Sequence, residues 1–150
     1  MGGWRGAGYA GLSTARGKMP NGPLVAIVDD DKSIRNATQD LLKAAGFSTA
    51  TFEDAESFLG SASRVSAACL VADMRMPGMS GVELYQALVA SGHSIPTVII
   101  TAHPDEITQA RGRVAGLTCY LIKPFTPDEL LECVSEALAK SQTPRPIPKS

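Results

Sequence analysis

The sequence predicts an α/β fold in which five parallel strands alternate with helices on both sides of one sheet, a doubly wound arrangement. Three observations lead there. Short, continuous apolar runs recur along the chain, as strands buried on both faces require. Segments of helical period separate them. The runs also end in polar residues, above all carboxylates, and a doubly wound sheet places its sites at those ends.

Leu24–Val28 is the first run and leads into Asp29, Asp30 and Asp31. A helix is predicted next, because Ile34, Ala37, Leu41, Leu42 and Ala45 fall on one face and Gly46 supplies a stop. Residues 47–52 alternate like a strand, and 54–59 suggest a short helix. Cys69–Asp73 is a continuous apolar strand closed by a carboxylate. Ser80 and Glu83 form a capping box that opens a third helix, with Leu84 and Leu88 at helical spacing. Thr97–Thr101 is the fourth strand, 105–115 a fourth helix closed by Gly116, and 118–122 the fifth strand. Thr126 and Glu129 form a second capping box, with Pro127 in the first turn of the fifth helix. Leu130, Leu131, Val134, Ala137 and Leu138 are its expected buried face. The crossovers should be right-handed.

With 150 residues the chain has room for one domain that folds without staples. Residues 1–22 contain seven glycines and no periodicity, and are expected to form a flexible tail. Residues 23–140 are the expected domain, and 141–150 a Pro-rich tail. No apolar run approaches the roughly 18 residues of a membrane span, and no secretory signal is evident. A cytoplasmic location without a membrane partner is therefore expected.

Of the 14 basic residues, three lie in 1–22 and two after Ser141, which leaves nine against 15 acids in the expected domain. A net charge of −6 there argues against direct nucleic-acid binding. Three cysteines, Cys69, Cys119 and Cys133, with no CxxC, argue against a disulfide framework or a zinc site. They are expected to be small buried hydrophobes.

The strand ends carry the chemistry. Asp29 and Asp30 follow strand one, Asp73 closes strand three, Thr101 closes strand four, and Lys123-Pro124 follows strand five. In a doubly wound sheet these converge on one rim. Three clustered carboxylates repel one another and need a cation, a raised pKa, or both. All-oxygen ligands with room for water suit Mg²⁺. An ammonium and a hydroxyl beside them suit phosphoryl transfer, with a carboxylate as the acceptor.

The stretches 25–30 (VAIVDD), 73–84 (DMRMPGMSGVEL), 96–103 (PTVIITAH) and 120–125 (YLIKPF) closely resemble the receiver domain of bacterial two-component response regulators, which has the CheY-like fold. The DMRMPGMSG segment and the Thr-Ala-His after strand four are most similar to receivers of the FixJ type. The resemblance spans about residues 24–140. It implies a flavodoxin-like (βα)5 sheet with strand order 2-1-3-4-5.

Residue by residue, the resemblance implies that Asp73 is the phosphoacceptor and that Asp29 and Asp30 position Mg²⁺, Asp30 as a direct ligand. Arg75 would give its backbone carbonyl to the metal. Thr101 would be the switch hydroxyl, Tyr120 the switch aromatic, and Lys123 the contact to the phosphoryl group, with a cis Lys123–Pro124 bond. Arg75 and His103 border this site as variable positions, either as solvated rim residues or as residues that orient the water hydrolysing the acyl phosphate. The implied function is a signalling module of a phosphorelay, not an enzyme. Its expected partners are a histidine kinase or phosphotransfer protein and a downstream target. The target would dock on the fourth helix, fifth strand and fifth helix, and a phosphorylation-dependent dimer is another form the output could take.

Two other readings compete. One is the receiver part of a DNA-binding transcriptional regulator cut before its output domain. The other is a Mg²⁺-dependent phosphohydrolase of the haloacid-dehalogenase kind, which also uses an aspartyl nucleophile. That fold carries its nucleophile on the first strand and needs a longer chain with a cap, whereas here the strand-end Asp stands on strand three.

Overall fold

The computed structural model of the chain describes residues 22–113, 117 and 119–142. The two expected tails, apart from Gly22 and the end of the last helix, lie outside the described residues, as do Gly116 and Thr118.

Five strands form one parallel sheet: β1 (Leu24–Val28), β2 (Ser48–Phe52), β3 (Cys69–Asp73), β4 (Thr97–Thr101) and β5 (Cys119–Ile122), in the order β2-β1-β3-β4-β5. The helices are α1 (Lys32–Ala44), α2 (Ala55–Leu59), α3 (Ser63–Ser66), α4 (Gly81–Ala90), α5 (Asp105–Arg113) and α6 (Pro127–Gln142). The expected doubly wound sheet and its order are thus borne out. The expected fourth and fifth helices are α5 and α6, because the four-residue α3 adds one. Its sequence, Ser-Arg-Val-Ser, has no apolar period to announce it.

Both faces of the sheet are covered. On one, Val25, Ile27, Val71, Val98 and Ile100 pack with Leu42 of α1 and with Leu130, Val134 and Ala137 of α6. On the other, Ala26, Val28, Leu70, Ala72 and Ile99 pack with Phe58 of α2 and with Val82, Leu84 and Leu88 of α4. This double burial is why β1, β3 and β4 read as unbroken apolar runs rather than alternating ones. All five residues of β3 and of β4 are buried.

The helices start where the sequence says they should. The Asp31 side chain accepts from the Ile34 N–H and caps α1. Ser80 and Glu83 make the expected reciprocal capping box on α4, and Thr126 and Glu129 make the one on α6. Two expectations are corrected. The α1 face is rotated: Thr38 and Leu42 are its buried residues, while Ala37 and Ala45 are exposed and Ile34 and Leu41 only partly covered. The cysteines are not three independent hydrophobes, because Cys119 of β5 and Cys133 of α6 form a disulfide, with Cα atoms 5.8 Å apart. The return of α6 onto β5 brings them together, which a sequence separation of 14 could not announce. Cys69 alone is free and buried.

Candidate functional site

The parallel register sets the C-terminal ends of β1, β3, β4 and β5 on one rim. Asp73 pairs with Ile100 of β4, and Thr101 pairs with Ile122 of β5. Backbone hydrogen bonds hold the first residue past the ends of β1, β3 and β5. The Asp29 N–H donates to the Phe52 carbonyl, the Met74 N–H to the Ile100 carbonyl, and the Lys123 N–H to the Thr101 carbonyl. Asp29, Lys123 and the residue after Asp73 therefore leave the sheet from hydrogen-bonded positions rather than from a loose loop.

The loop after β3 turns back tightly. The Gly81 N–H donates to the Met74 carbonyl over 3.1 Å. A Cβ at Gly81 would lie 2.6 Å from the Asp73 carbonyl oxygen, so only glycine lets the start of α4 approach β3 this closely.

Asp29, Asp30 and Asp73 come together as expected, each offering a carboxylate oxygen within 4.8 Å of the others. Asp29 and Asp73 are buried and Asp30 is exposed. Asp29 accepts from the Asp31 N–H, and its carbonyl accepts from the Arg35 guanidinium at 2.6 Å. Lys123 Nζ stands 2.9 Å from Asp73 Oδ1.

The electrostatics arise from burial and crowding. Burial pushes the Asp29 carboxyl up to about 6, with the Asp73 charge adding to it and the Asp31 N–H opposing it. Asp73 is also raised, again by burial first. Lys123 opposes that rise without cancelling it, and Asp30 reinforces it. Lys123 is raised as well: burial pulls it down, but its ion pair with Asp73 more than offsets that. One ammonium facing three carboxylates leaves the site short of positive charge. Hard oxygen donors in that condition fit a divalent cation such as Mg²⁺.

The remaining expected residues divide. Thr101 is fully buried at the end of β4, but its hydroxyl does not face Asp73. It donates to Glu106 Oε1 over 2.5 Å and accepts from the His103 N–H over 3.0 Å. Glu106, in the first turn of α5, is held on its other oxygen by Arg75 Nε at 2.7 Å. Arg75 thus turns its guanidinium toward α5, while its backbone N–H donates to Asp73. His103 is exposed. Tyr120 lies half-buried on β5 opposite Ile99, packed against the core on the α4 side of the sheet. The Lys123–Pro124 bond is cis. Glu106 is the site residue that sequence reasoning missed. An acidic residue in a first helical turn ordinarily just faces the helix dipole, so nothing in its position set it apart.

An apolar groove of about 610 Å³ borders the site. Ile34, Ala37 and Leu41 of α1 form one wall, and Lys123, Pro124 and Phe125 the other.

Comparison with known proteins places this geometry. Residues 25–135 match the family described as the response regulator receiver domain. The chain is 33% identical over 118 residues to the transcriptional regulatory protein FixJ of Bradyrhizobium diazoefficiens, a match covering 79% of this chain and 58% of that protein. It is 34% identical over 115 residues to the response regulator protein TodT of Pseudomonas putida strain F1, covering 77% of this chain and 51% of that one. Among solved structures it is similar to the response regulator StyR, with a TM-score of 0.70 and 41% identity over 80% of this chain and 61% of that chain. The chain thus spans little more than half the length of these two curated relatives.

Proposed function

This chain belongs to the response regulator receiver domain family, and from that premise we propose that it is a phosphoacceptor switch whose acceptor is Asp73. The observation that carries this reading is the convergence of three carboxylates and one ammonium on a single strand rim, with Lys123 paired to Asp73 and to neither other acid. In the proposed transfer, a carboxylate oxygen of Asp73 bonds to phosphorus while the bond from phosphorus to the donor breaks. The product is an acyl phosphate on β3. Lys123 stays to neutralise the phosphoryl oxygens.

Asp29, Asp30, Asp73 and the Arg75 carbonyl would hold Mg²⁺, which when bound supplies positive charge where the phosphoryl group arrives. Burial of Asp29 and Asp73 excludes water from one side of the acceptor. Lys123, which pairs with Asp73, also lines the groove along α1. That groove is the reading's entry for a phosphoryl donor, a histidine kinase or phosphotransfer protein, since its apolar walls suit a helix laid beside α1. Output would run through Thr101 and Tyr120 to the surface of α5, β5 and α6, by docking a target or a second copy.

The chain on this reading is a signalling module rather than an enzyme, and no turnover of phosphomonoesters is expected. A second reading is favoured by the coverage of its relatives: these 150 residues would be the receiver part of a longer transcriptional regulator. The acidic domain would then regulate DNA binding without making it. Incubation with acetyl phosphate and Mg²⁺ tests the common core of both readings. One base-labile phosphoryl group should be added, and EDTA should suppress it. No labelling under these conditions would refute the phosphoacceptor role.

A further inference from the structure

Given Asp73 as the phosphoacceptor, we infer that Glu106, oriented by Arg75, is a latch that holds the Thr101 hydroxyl away from the phosphoryl site and so sets the threshold of the switch. Three elements build it. Arg75 comes from the loop after β3, Thr101 from the end of β4, and Glu106 from the first turn of α5. The Glu106 carboxylate is used on both oxygens: Oε2 accepts from Arg75 Nε at 2.7 Å and Oε1 accepts from the Thr101 hydroxyl at 2.5 Å.

A threonine hydroxyl has one hydrogen to donate. A carboxylate and a phosphoryl oxygen are both acceptors only, so the Thr101 proton cannot serve Glu106 and the phosphoryl group at once; the His103 carbonyl, at 3.4 Å, is a longer alternative to Glu106. Its backbone cannot follow the hydroxyl, because Thr101 is fully buried and the Lys123 N–H is bonded to its carbonyl. The choice is therefore made by rotation of the side chain. Arg75 holds the competing acceptor in place. Because Arg75 is largely exposed, its ion pair adds little to stability, and its effect is to orient Glu106. Glu106 is thus a positioning residue that acts through Thr101, and phosphorylation must draw the hydroxyl away from it.

The test uses the whole chain and beryllofluoride at fixed Mg²⁺ as the acyl-phosphate mimic, with affinity followed by NMR of the backbone amide of Met74, which every variant keeps, and the hydroxyl's state by the Thr101 methyl group where Thr101 is present. Glu106→Ala should bind the mimic about tenfold more tightly than the unaltered chain, the factor expected for losing one charge-assisted hydrogen bond. Glu106→Gln keeps an acceptor oxygen but loses the ion pair, so it should gain about threefold, an intermediate share of the same hydrogen bond. In a Thr101→Ala background neither substitution should change the affinity. Without mimic or metal, the Thr101 methyl resonance of Glu106→Ala should already lie nearer its bound position.

Equal tightening in both backgrounds would mean that Glu106 acts only as a negative charge, and no tightening would mean there is no latch. Either result overturns the inference while the phosphoacceptor reading stands. Failure of the unaltered chain to bind the mimic at all would instead remove that reading and the latch together.

Discussion

Lys123 Nζ reaches Asp73 Oδ1 across β4, joining the ends of two strands that are not neighbours in the sheet. The contact is 2.9 Å long, and the lysine side chain is 23% exposed against 9% for the aspartate, so the ammonium meets solvent more freely than the carboxylate it covers. That asymmetry gives the acceptor one open side. It also leaves the three acids undercompensated, and the consequence is measurable.

The metal-free chain should become more stable as the pH falls from about 7 to 5. Asp29 titrates at about 6 in the fold against an ordinary 3.8, so folding favours its protonated form. That contribution is complete below the ordinary value and is lost as pH rises through the folded one. Asp73 shifts in the same direction. Asp54 and Glu106 shift the other way, and their losses come below this window. The gain should be on the order of 1 kcal/mol. Saturating Mg²⁺ should flatten it by taking the place of the protons. Thermal melts at both pH values, with Mg²⁺ and with EDTA, measure this.

Gly81→Ala should destabilise the fold by about 1–3 kcal/mol, the range for forcing an atom into a packed site. The added methyl meets the Asp73 carbonyl at 2.6 Å and Ile99 Cδ1 at 3.0 Å. Because the clash falls on β3, which carries the proposed acceptor, labelling by acetyl phosphate should drop along with stability. Urea denaturation and a labelling time course on the same preparation would show both.

Ala37→Glu should separate the two kinds of donor. Ala37 is exposed in the groove beside α1, which Asp73 does not line. Acetyl phosphate should label the variant as it does the unaltered chain. Transfer from the cognate phosphorylated protein, once identified, should slow by about tenfold or more, as for a charge placed in an apolar contact. Equal slowing with both donors would place the effect in the site rather than in the groove.

Much of this molecule was legible in its sequence. β1, β3 and β4 were bounded correctly because burial on both faces leaves no polar residue inside them. Both capping boxes were readable because they are local. What failed was what depends on long-range packing. The rotation of α1 was hidden because Thr38, a polar residue, takes a buried place that Ala37 was expected to hold. The Cys119–Cys133 pairing depends on how α6 returns to β5. The gathering of Asp29, Asp30, Asp73, Thr101 and Lys123 at one rim was legible because a parallel sheet brings strand ends together. Glu106 and the use Arg75 makes of it were not, because their contact spans 31 residues between a loop and a helix turn.

The most direct test of the account is the site of phosphoryl attachment. Intact-mass analysis after acetyl phosphate and Mg²⁺ should show a single added phosphoryl group on the unaltered chain, and peptide mapping after borohydride trapping should place it on Asp73. Asp73→Asn should remove it, while Asp30→Asn, which leaves the acceptor in place, should retain a residual signal. Persistent labelling of Asp73→Asn, or trapping at Asp29 or Asp30 in the unaltered chain, would contradict the assignment.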